Sequence, residues 1–306
     1  MCARQNEKVS FFYAENGEMN DVIRQMIQRY KCQTESDWIN ALREVMQEIA
    51  LQGLARGKFF DKAAFYGGTA LRIMYGLNRG SEDLDFSLLK PDESFSISDY
   101  AECLKDELKS MGFSAAFAAK EKSFDSPIDS AFLKMNTKAQ LISIGVPKAL
   151  SNKIHSKKEL KIKLEVDTNP PTGFETEVKT LFRPIPHAVR VYTLPDLAAG
   201  KLHAVLCRKW RNRSKGRDWY DMVWYAGNHP TVNLSHLEQR MRQSGDYAEN
   251  SPLTHEKLMI LLTEAVNSVD IDALKHDVTP FIADKSELDL WSRPFFSEAV
   301  KLFNPA

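Results

Sequence analysis

The stretch 65-FYGGTALRIMYGLNRGSEDLDFSLL-89 decides the fold. Its first residues continue a short apolar run that ends at Gly67 and Gly68, which predicts a strand meeting a tight turn. Residues 69–77 then show the spacing of a short helix. Two glycines allow backbone N–H groups at a helix start to approach a bound phosphate closely. A hydrophobic core requires no such turn, so this arrangement points to an anionic ligand.

The second half of the stretch carries two acids on a predicted strand, residues 83–89. Asp83 and Asp85 alternate with apolar residues, so both carboxylates lie on one face while the other face packs in the core. Two such carboxylates repel each other unless a cation neutralises them. Mg²⁺ prefers oxygen ligands and shares them between carboxylates and phosphates. An exposed acidic edge strand is the alternative for the acid pair alone, but the glycine turn upstream favours a metal–nucleotide site.

Composition limits the classes of protein that fit. The chain has 306 residues, with 41 basic and 41 acidic side chains and no net charge. This balance disfavours non-specific coating of nucleic acid but allows a local basic groove. The four cysteines are far apart and form no CxxC pair, which predicts reduced thiols in a cytoplasmic protein. Neither a signal peptide nor a membrane span is predicted, and no membrane partner is expected.

The remaining pattern predicts a mixed α/β half, residues 1–190, followed by a mostly helical half, residues 191–306. An amphipathic helix is expected at 37–55 and another at 98–111. Strands are expected within 114–122, 131–144, 160–168 and 189–193. Helices are expected at 196–210, 217–225, 234–243, 255–266, 271–275 and 295–303. The apolar tail from Trp291 to Phe303 is predicted to lie in the core of the second half.

The strand at 160–168 supplies further acids. Its apolar residues form one face, and Lys163, Glu165 and Asp167 lie on the other. Either acid could complete a metal site with the Asp83–Asp85 pair. The residues alone therefore leave the third ligand open between Glu165 and Asp167.

Two predicted helices of the second half bring cations and acids. Lys201, Ala204 and Arg208 share one helical stripe, which suits contact with phosphates but also fits a solvated basic face. Asp218 and Asp221 share a face of the next helix, where an intrahelical pair between Arg217 and Asp221 would have only a structural role.

Other polar groups give weaker signals. The segment 207-CRKWRNRSKGR-217 is a basic cluster around Trp210, which fits either a solvated loop or a contact with an RNA backbone. The histidines show no HExxH motif and no short metal-binding spacing with cysteine. His187 and His203 are therefore interpreted as structural.

A resemblance to a known family adds to this interpretation. The stretch GGTALRIMYGLNRGSEDLDFSLL resembles the first motif of the AbiEii/AbiGii-type nucleotidyltransferase toxins. This family includes MenT-like toxins and belongs to the DNA polymerase β-like nucleotidyltransferase superfamily. The segment 161-KIKLEVDT-168 resembles its second motif, and 195-PDLAAGKLHAVLCRKWRNRSKGRDWYDMVWY-225 resembles the third and fourth. Two departures stand out: Gly68-Thr69 replaces the usual Gly-Ser, and Glu165 replaces an aspartate found in many such enzymes.

The resemblance implies the fold and the cofactor. It implies an α/β fold with a polymerase β-like core around a small mixed sheet, completed by the α-helical C-terminal half, with the site in the cleft between the halves. Mg²⁺, or Mn²⁺ in its place, would be held by Asp83, Asp85 and Glu165, with Asp167 as the alternative third ligand.

The resemblance also implies roles for the other site residues. The nucleoside triphosphate would be bound by Gly67, Gly68, Thr69, Lys163, Lys201 and Arg208. Lys201 and Asp218 would belong to the catalytic set, and Asp218 or Asp167 would accept a proton from the attacking group. The implied acceptor is a tRNA 3′ end, and the implied partner is an antitoxin in a toxin–antitoxin or abortive-infection system.

Two other functions remain compatible with the residues. One is nucleotidyl transfer to a small molecule, as in aminoglycoside adenylyltransferases, or to a protein side chain. The other is a non-catalytic protein that keeps the fold and binds a nucleotide. Retention of Asp83, Asp85, Glu165 and Lys201 argues against the non-catalytic protein.

Overall fold

The computed structural model describes residues 21–120, 126–208 and 215–306. Helices and strands are interspersed up to residue 192. The helices are α1 (Asp21–Gln28), α2 (Glu35–Arg56), α3 (Gly67–Tyr75), α4 (Ala101–Ser110), α5 (Thr137–Ser143) and α6 (Lys148–Ser151). The strands are β1 (Ala63–Tyr66), β2 (Leu84–Leu88), β3 (Ala116–Ala119), β4 (Ile128–Asn136), β5 (Glu159–Asp167), β6 (Thr176–Leu181) and β7 (His187–Tyr192).

The rest of the described chain is mainly helical. Its helices are α7 (Leu194–Cys207), α8 (Gly216–Asn228), α9 (Leu234–Gln243), α10 (His255–Ser268), α11 (Ile271–Val278) and α12 (Arg293–Val300). Two short strands, β8 (Thr231–Val232) and β9 (Asn304–Pro305), pair in parallel. The predicted α/β fold with a helical C-terminal half is confirmed.

The strands of the first half form one mixed sheet in the order β3-β4-β5-β2-β1-β7-β6. Strand β2 is antiparallel to β1 and parallel to β5. The register of β2 and β5 places Asp85 opposite Glu165 and Leu84 opposite Leu164. The leucines are fully buried, so the alternation seen in the sequence sends the two acids to the opposite face of the same two strands.

Helix α2 anchors this sheet. Thr34 begins it with a capping box, in which Thr34 and Asp37 each accept a backbone N–H of the other. This satisfies donors that the first helical turn would otherwise leave unpaired. Met46 and Ile49 are among its fully buried residues, and the helix packs against α4 and β5. The helix predicted at 37–55 is confirmed.

Several elements differ from the sequence prediction, two of them in the sheet. The strand expected within 131–144 ends at Asn136, because the Asn136 side chain accepts the N–H of Ala139 and starts helix α5. Strand β6 was not expected. It is an edge strand with exposed polar residues, so it lacks the half-buried alternation that makes a strand visible in a sequence.

The buried side chains form two clusters. One extends from Ile23 to Val191 around the sheet. The other runs from Tyr192 to Phe303 but also includes Ala64, Leu71 and others from the first half. Trp291, Phe296 and Phe303 are buried in it, which confirms the predicted core position of the tail. The boundary near residue 190 falls between the two clusters and stays a proposal, since first-half residues contribute to both.

Candidate active site

The predicted acids meet in one cleft of about 300 Å³. Asp83 lies just before β2, Asp85 lies within it, and Glu165 faces Asp85 across the parallel ladder. All three line the cleft, together with the glycine turn and residues of α7 and α8. The sheet thus supplies the acids, and the helical half supplies the opposite wall.

The three acids repel one another electrostatically. Burial raises the pKa of Asp85 to about 7, and the charges of Asp83 and Glu165 add to the effect. Burial and Glu165 likewise raise the pKa of Asp83. Within the described chain, their carboxylate oxygens do not all lie within 4.8 Å of one another, so a cation would draw them together by side-chain rotation. Three carboxylates in a partly buried cleft are an all-oxygen donor set, which fits Mg²⁺.

The structure separates the two acids that the sequence left as alternatives. Glu165 lines the cleft, and its carboxylate pairs with Lys163 at 2.5 Å. Asp167 lies opposite Ser87 at the strand end and accepts the N–H of Asn169 at 3.0 Å. Neither Asp167 nor Lys163 is among the residues that line the cleft. Glu165 is therefore better placed than Asp167 to contact a ligand in the cleft, and its carboxylate pairs with Lys163.

The two glycines of the turn are required by close contacts. Gly67 has a φ of +81°, and a Cβ there would lie 2.6 Å from Oδ2 of Asp85. A Cβ on Gly68 would lie 2.7 Å from Nη2 of Arg79. Both glycines line the cleft at the start of α3. The absent side chains therefore make room for an acid and an arginine as well as for a ligand.

Thr69 has a different position from the one expected. It is fully buried, its hydroxyl donates to the carbonyl of Asp83, and that hydroxyl lies 2.7 Å from the hydroxyl of Ser81. The expected phosphate contact by Thr69 is therefore not made from this position. The side chain instead fixes the segment that leads into β2, and so fixes Asp83.

The turn provides a direct test with a matched control. Changing Gly67 to alanine is expected to lower nucleotidyl transfer about 100-fold, because the new Cβ displaces Asp85 and a shift of about 1 Å in a catalytic group has that effect. The measurement is the rate of label transfer from an α-labelled NTP.

The control is Gly76→Ala at the end of α3. Gly76 has a φ of +83°, but a Cβ there meets nothing within 4 Å. Both variants carry the strain of a positive φ, about 1–2 kcal/mol. Equal losses of activity in the two variants would show that the Asp85 contact has no importance.

A buried network of ion pairs joins the turn to the helical half. Nζ of Lys201 lies 2.8 Å from carboxylate oxygens of both Asp218 and Asp221. Arg208 pairs with the other oxygen of Asp218 at 2.9 Å. Arg79 makes two bonds of 2.6 Å to Asp221. The predicted site members Lys201, Arg208 and Asp218 are thus brought together.

This network sets the charges of its members. Burial alone would raise the pKa of Asp218, but the Lys201 and Arg208 cations outweigh it and lower that pKa to about 2. Burial would lower the pKa of Lys201, but Asp218 and Asp221 raise it. Lys201 therefore stays protonated. A carboxylate with so low a pKa is a poor proton acceptor, so Asp218 is better suited to holding the two cations than to acting as a base.

The alternative of an intrahelical ion pair between Arg217 and Asp221 is wrong. Asp221 is fully buried and faces Arg79 and Lys201. Arg217 lies 3.6 Å from Glu82, and its guanidinium stacks 4.0 Å above the ring of Phe281. The helix turns these two side chains toward different neighbours.

Sequence reasoning missed Arg79 and Arg240, which both line the cleft. Arg240 lies on α9, and its buried Nε has no hydrogen-bond partner in the described chain. Its guanidinium lies 5.9 Å from the ring centroid of Tyr66, and a Cβ on Gly200 would come within 3.9 Å of its Cζ. Among the described residues, no carboxylate oxygen lies within 4.0 Å of Arg240, so this cation is available to a ligand.

The other predicted residues have simpler outcomes. The Nδ1 atom of His187 lies 2.8 Å from the carbonyl oxygen of Ile185, in keeping with a structural role. Trp210 and most of the basic cluster 207–217 lie outside the described residues. The three described cysteines form no disulfide bond. None of the described helices is both long enough and apolar enough to cross a bilayer.

Comparison with known proteins identifies the family. The family model described as "Nucleotidyl transferase AbiEii toxin, Type IV TA system" matches residues 49–300. The chain belongs to this family. The AbiEii match includes the glycine turn, all three acids, Lys201 and Asp218. Membership of this family makes the protein a nucleotidyltransferase of the toxin class, with an NTP as substrate. The expected partner is an antitoxin in a type IV toxin–antitoxin system.

Solved structures resemble this AbiEii-family chain in fold. MenT4, a nucleotidyltransferase toxin from Mycobacterium tuberculosis H37Rv, is 16% identical with a TM-score of 0.56, covering 91% of this chain and 88% of its own. JHP933 from Helicobacter pylori is 19% identical with a TM-score of 0.49, covering 86% of this chain and 90% of its own. A comparison with curated proteins found no match.

Proposed function

We propose that this AbiEii-family protein transfers an NMP from an NTP to the 3′ end of a tRNA in a Mg²⁺-dependent reaction that releases pyrophosphate. The observation that supports it most is one cleft that contains three carboxylates, a glycine turn at a helix start and the cations of α7 and α9. The acids suit a divalent cation, and the turn and cations suit a triphosphate. All of these groups line the same cleft.

Asp83, Asp85 and Glu165 would hold the cation. Bound there, Mg²⁺ would neutralise charge on the transferred phosphate and orient it for in-line displacement. The raised pKa of Asp85 fits this role, because a buried carboxylate among like charges gains most from a neighbouring cation. Lys163 would keep Glu165 in place through their 2.5 Å ion pair.

The turn and the helices would bind the triphosphate. Gly67 and Gly68 line the cleft at the start of α3, where the N–H groups of a helix start would bind phosphate oxygens. Lys201 stays charged between Asp218 and Asp221 and would stabilise negative charge on the leaving pyrophosphate. Arg240 has no carboxylate partner within 4.0 Å in the described chain and would form a new ion pair with a phosphate oxygen.

Arg240 gives a prediction specific to NTP binding. Replacing it with glutamine is expected to raise the KM for NTP, because a hydrogen bond to a charged group contributes about 1.5–3 kcal/mol. This corresponds to roughly a 10- to 150-fold change. The measurement is the initial transfer rate over a range of NTP concentrations.

Arg242→Gln on the same helix is the matched control. Arg242 pairs with Glu238 at 2.8 Å and is not among the cleft residues, so its loss is expected to leave the KM unchanged. Equal KM values for the two variants would remove Arg240 from the proposed binding site.

The tRNA acceptor rests on the resemblance to tRNA-directed members of this toxin family. The structure is compatible with it, since Arg208 is 43% exposed beside the cleft and Lys215 lines the same cleft. Cations at such a position attract a polyanion. The cognate antitoxin would prevent the loss of translation that follows when tRNA 3′ ends are blocked.

The test is incubation of the purified protein with total tRNA, each α-³²P-labelled NTP in turn, and Mg²⁺ or Mn²⁺. Label on tRNA that disappears in Asp83→Ala/Asp85→Ala would support the whole proposal. Pyrophosphate release without labelled tRNA would contradict the tRNA acceptor and favour a small molecule or a protein. If no NTP yields either product, the cleft is not a working transferase site.

A further inference from the structure

A second cluster of metal-binding side chains lies on a face of α7 next to the one that lines the cleft. Lys201, Ala204 and Arg208 line the cleft. His203 and Cys207 are one helical turn apart and point about 110° around the helix from that stripe. Their position makes them independent of the acids on β2 and β5. The sequence interpretation overlooked this pair, although a histidine and a cysteine four positions apart have a short metal-binding spacing on a helix.

A third residue completes the cluster from another element. Asp246 follows α9, which packs against α7. One ligand atom each from His203, Cys207 and Asp246 lies within 4.8 Å of the other two. Among the described residues, no other group of three or more histidine, cysteine or acidic side chains has its ligand atoms this close together. Tertiary packing therefore converts a pair on one helix into a three-sided site.

The distances allow a bound ion after small side-chain movements. Four-coordinate zinc holds nitrogen, sulfur and oxygen ligands at about 2.0–2.3 Å, so neighbouring ligand atoms lie roughly 3.3–3.6 Å apart. Rotation of the exposed parts of His203 and Asp246 can close the remaining gap. The Ser244 hydroxyl now lies between them, 3.0 Å from Nε2 of His203 and 2.7 Å from Oδ2 of Asp246. A metal ion would replace this polar bridge.

The chemistry of the ligands selects the ion. A thiolate and an imidazole favour zinc over Mg²⁺, which prefers oxygen ligands alone. Cys207 is 9% exposed, while His203 and Asp246 are half-buried. The sulfur is therefore shielded, while the imidazole and the carboxylate are partly exposed. We propose that His203, Cys207 and Asp246 form a zinc site that joins the end of α7 to the segment after α9.

The proposal does not depend on the proposed nucleotidyl transfer. The two sites differ in ligand type and lie on different faces of α7. A protein inactive toward tRNA could still bind zinc here, and an active protein could lack this site. The experiment therefore measures metal binding itself and needs no activity.

The experiment uses Co²⁺ as a spectroscopic substitute for zinc. Full-length protein is stripped with a chelator and titrated with Co²⁺, and the thiolate-to-cobalt charge-transfer band is recorded. The expected result is a band that saturates at one equivalent and disappears when Zn²⁺ displaces the cobalt. Cys207→Ser is expected to abolish the band, whereas Cys32→Ser and Cys103→Ser are expected to keep it. Absence of the band in the unaltered protein, or its survival in Cys207→Ser, would overturn the proposal.

Two further measurements separate ligand loss from misfolding. His203→Ala and Asp246→Asn are expected to weaken zinc binding at least about 10-fold in competition with a chromophoric chelator. In the unaltered protein, zinc is expected to slow alkylation of Cys207 but not of Cys103, as read by mass spectrometry. Asp83→Asn/Asp85→Asn is expected to keep the charge-transfer band. Equal protection of both cysteines, or loss of the band in that double variant, would contradict the assignment.

Discussion

Asp85→Asn is expected to lower nucleotidyl transfer at least about 1,000-fold, because the metal it would help to hold supplies several kcal/mol to the reaction. In metal-free buffer at pH 8, the same variant is expected to be more stable than the unaltered protein. Equilibrium unfolding by urea, with and without Mg²⁺, measures the stability, and label transfer measures the activity.

The direction of this change in stability follows from the pKa of Asp85. Burial first, and then the charges of Asp83 and Glu165, raise the pKa of Asp85 from 3.8 to about 7. A raised carboxylate pKa contributes stability that is fully present below about pH 4 and is lost as pH rises through 7. At pH 8 the folded protein thus carries an unfavourable charge, which the asparagine lacks. At about 1.4 kcal/mol per pKa unit, the gain is at most about 4.5 kcal/mol.

Mg²⁺ is expected to reverse the order of stability, since it would bind the unaltered site and not the variant. Asp167→Asn is the matched control, because Asp167 is also a partly buried acid with a raised pKa but is not among the cleft residues. It is expected to keep its transfer activity. An inactive Asp167→Asn beside an active Glu165→Gln would exchange the roles of the two acids.

Asp221→Asn is expected to destabilise the protein by about 3–5 kcal/mol, because removing one partner leaves buried charges without compensation. Arg79 and Asp221 have side chains that are 3% and 0% exposed, and Lys201 also pairs with Asp221. Activity is expected to fall as well, since Arg79 and Lys201 both line the cleft. Urea unfolding and label transfer measure the two effects.

A surface pair provides the comparison for Asp221. Glu298 and Lys301 pair at 2.7 Å with side chains 73% and 63% exposed. Glu298→Gln is expected to change stability by less than about 1 kcal/mol. The double variant Arg79→Met/Asp221→Leu is expected to recover stability but not activity. A loss below about 1 kcal/mol for Asp221→Asn would show that the buried pair has no special importance.

The sequence predicts those parts of this protein whose signals are local. Alternation along β2 and β5 places Asp83, Asp85 and Glu165 on a common face. Helix α2 is visible from its apolar spacing. In each case the relevant neighbours lie within a few residues along the chain or follow from one shared sheet.

The sequence does not predict contacts that depend on distant partners. Arg79 lies in a loop, and its role depends on Asp221, 142 residues away. Arg240 reaches the cleft past Gly200, a path that only the packing of α9 on α7 creates. Thr69 occupies the sequence position where a phosphate-binding hydroxyl is expected, but its hydroxyl donates to the carbonyl of Asp83, just before β2. The local sequence pattern predicts which residues share one face of a helix or strand, whereas tertiary packing decides what that face contacts.

The separation of Arg79 from Asp221 has a consequence for protein synthesis. A ribosome adding about 5–20 residues per second needs roughly seven to thirty seconds to cover the 142 positions that separate them. Through most of that interval the emerging chain has the acids of β2 but lacks helix α7, and Arg240 of α9 is made only after Asp221. A nascent copy is therefore expected to lack transfer activity until the helical half has been made, and the need for an antitoxin would begin only then.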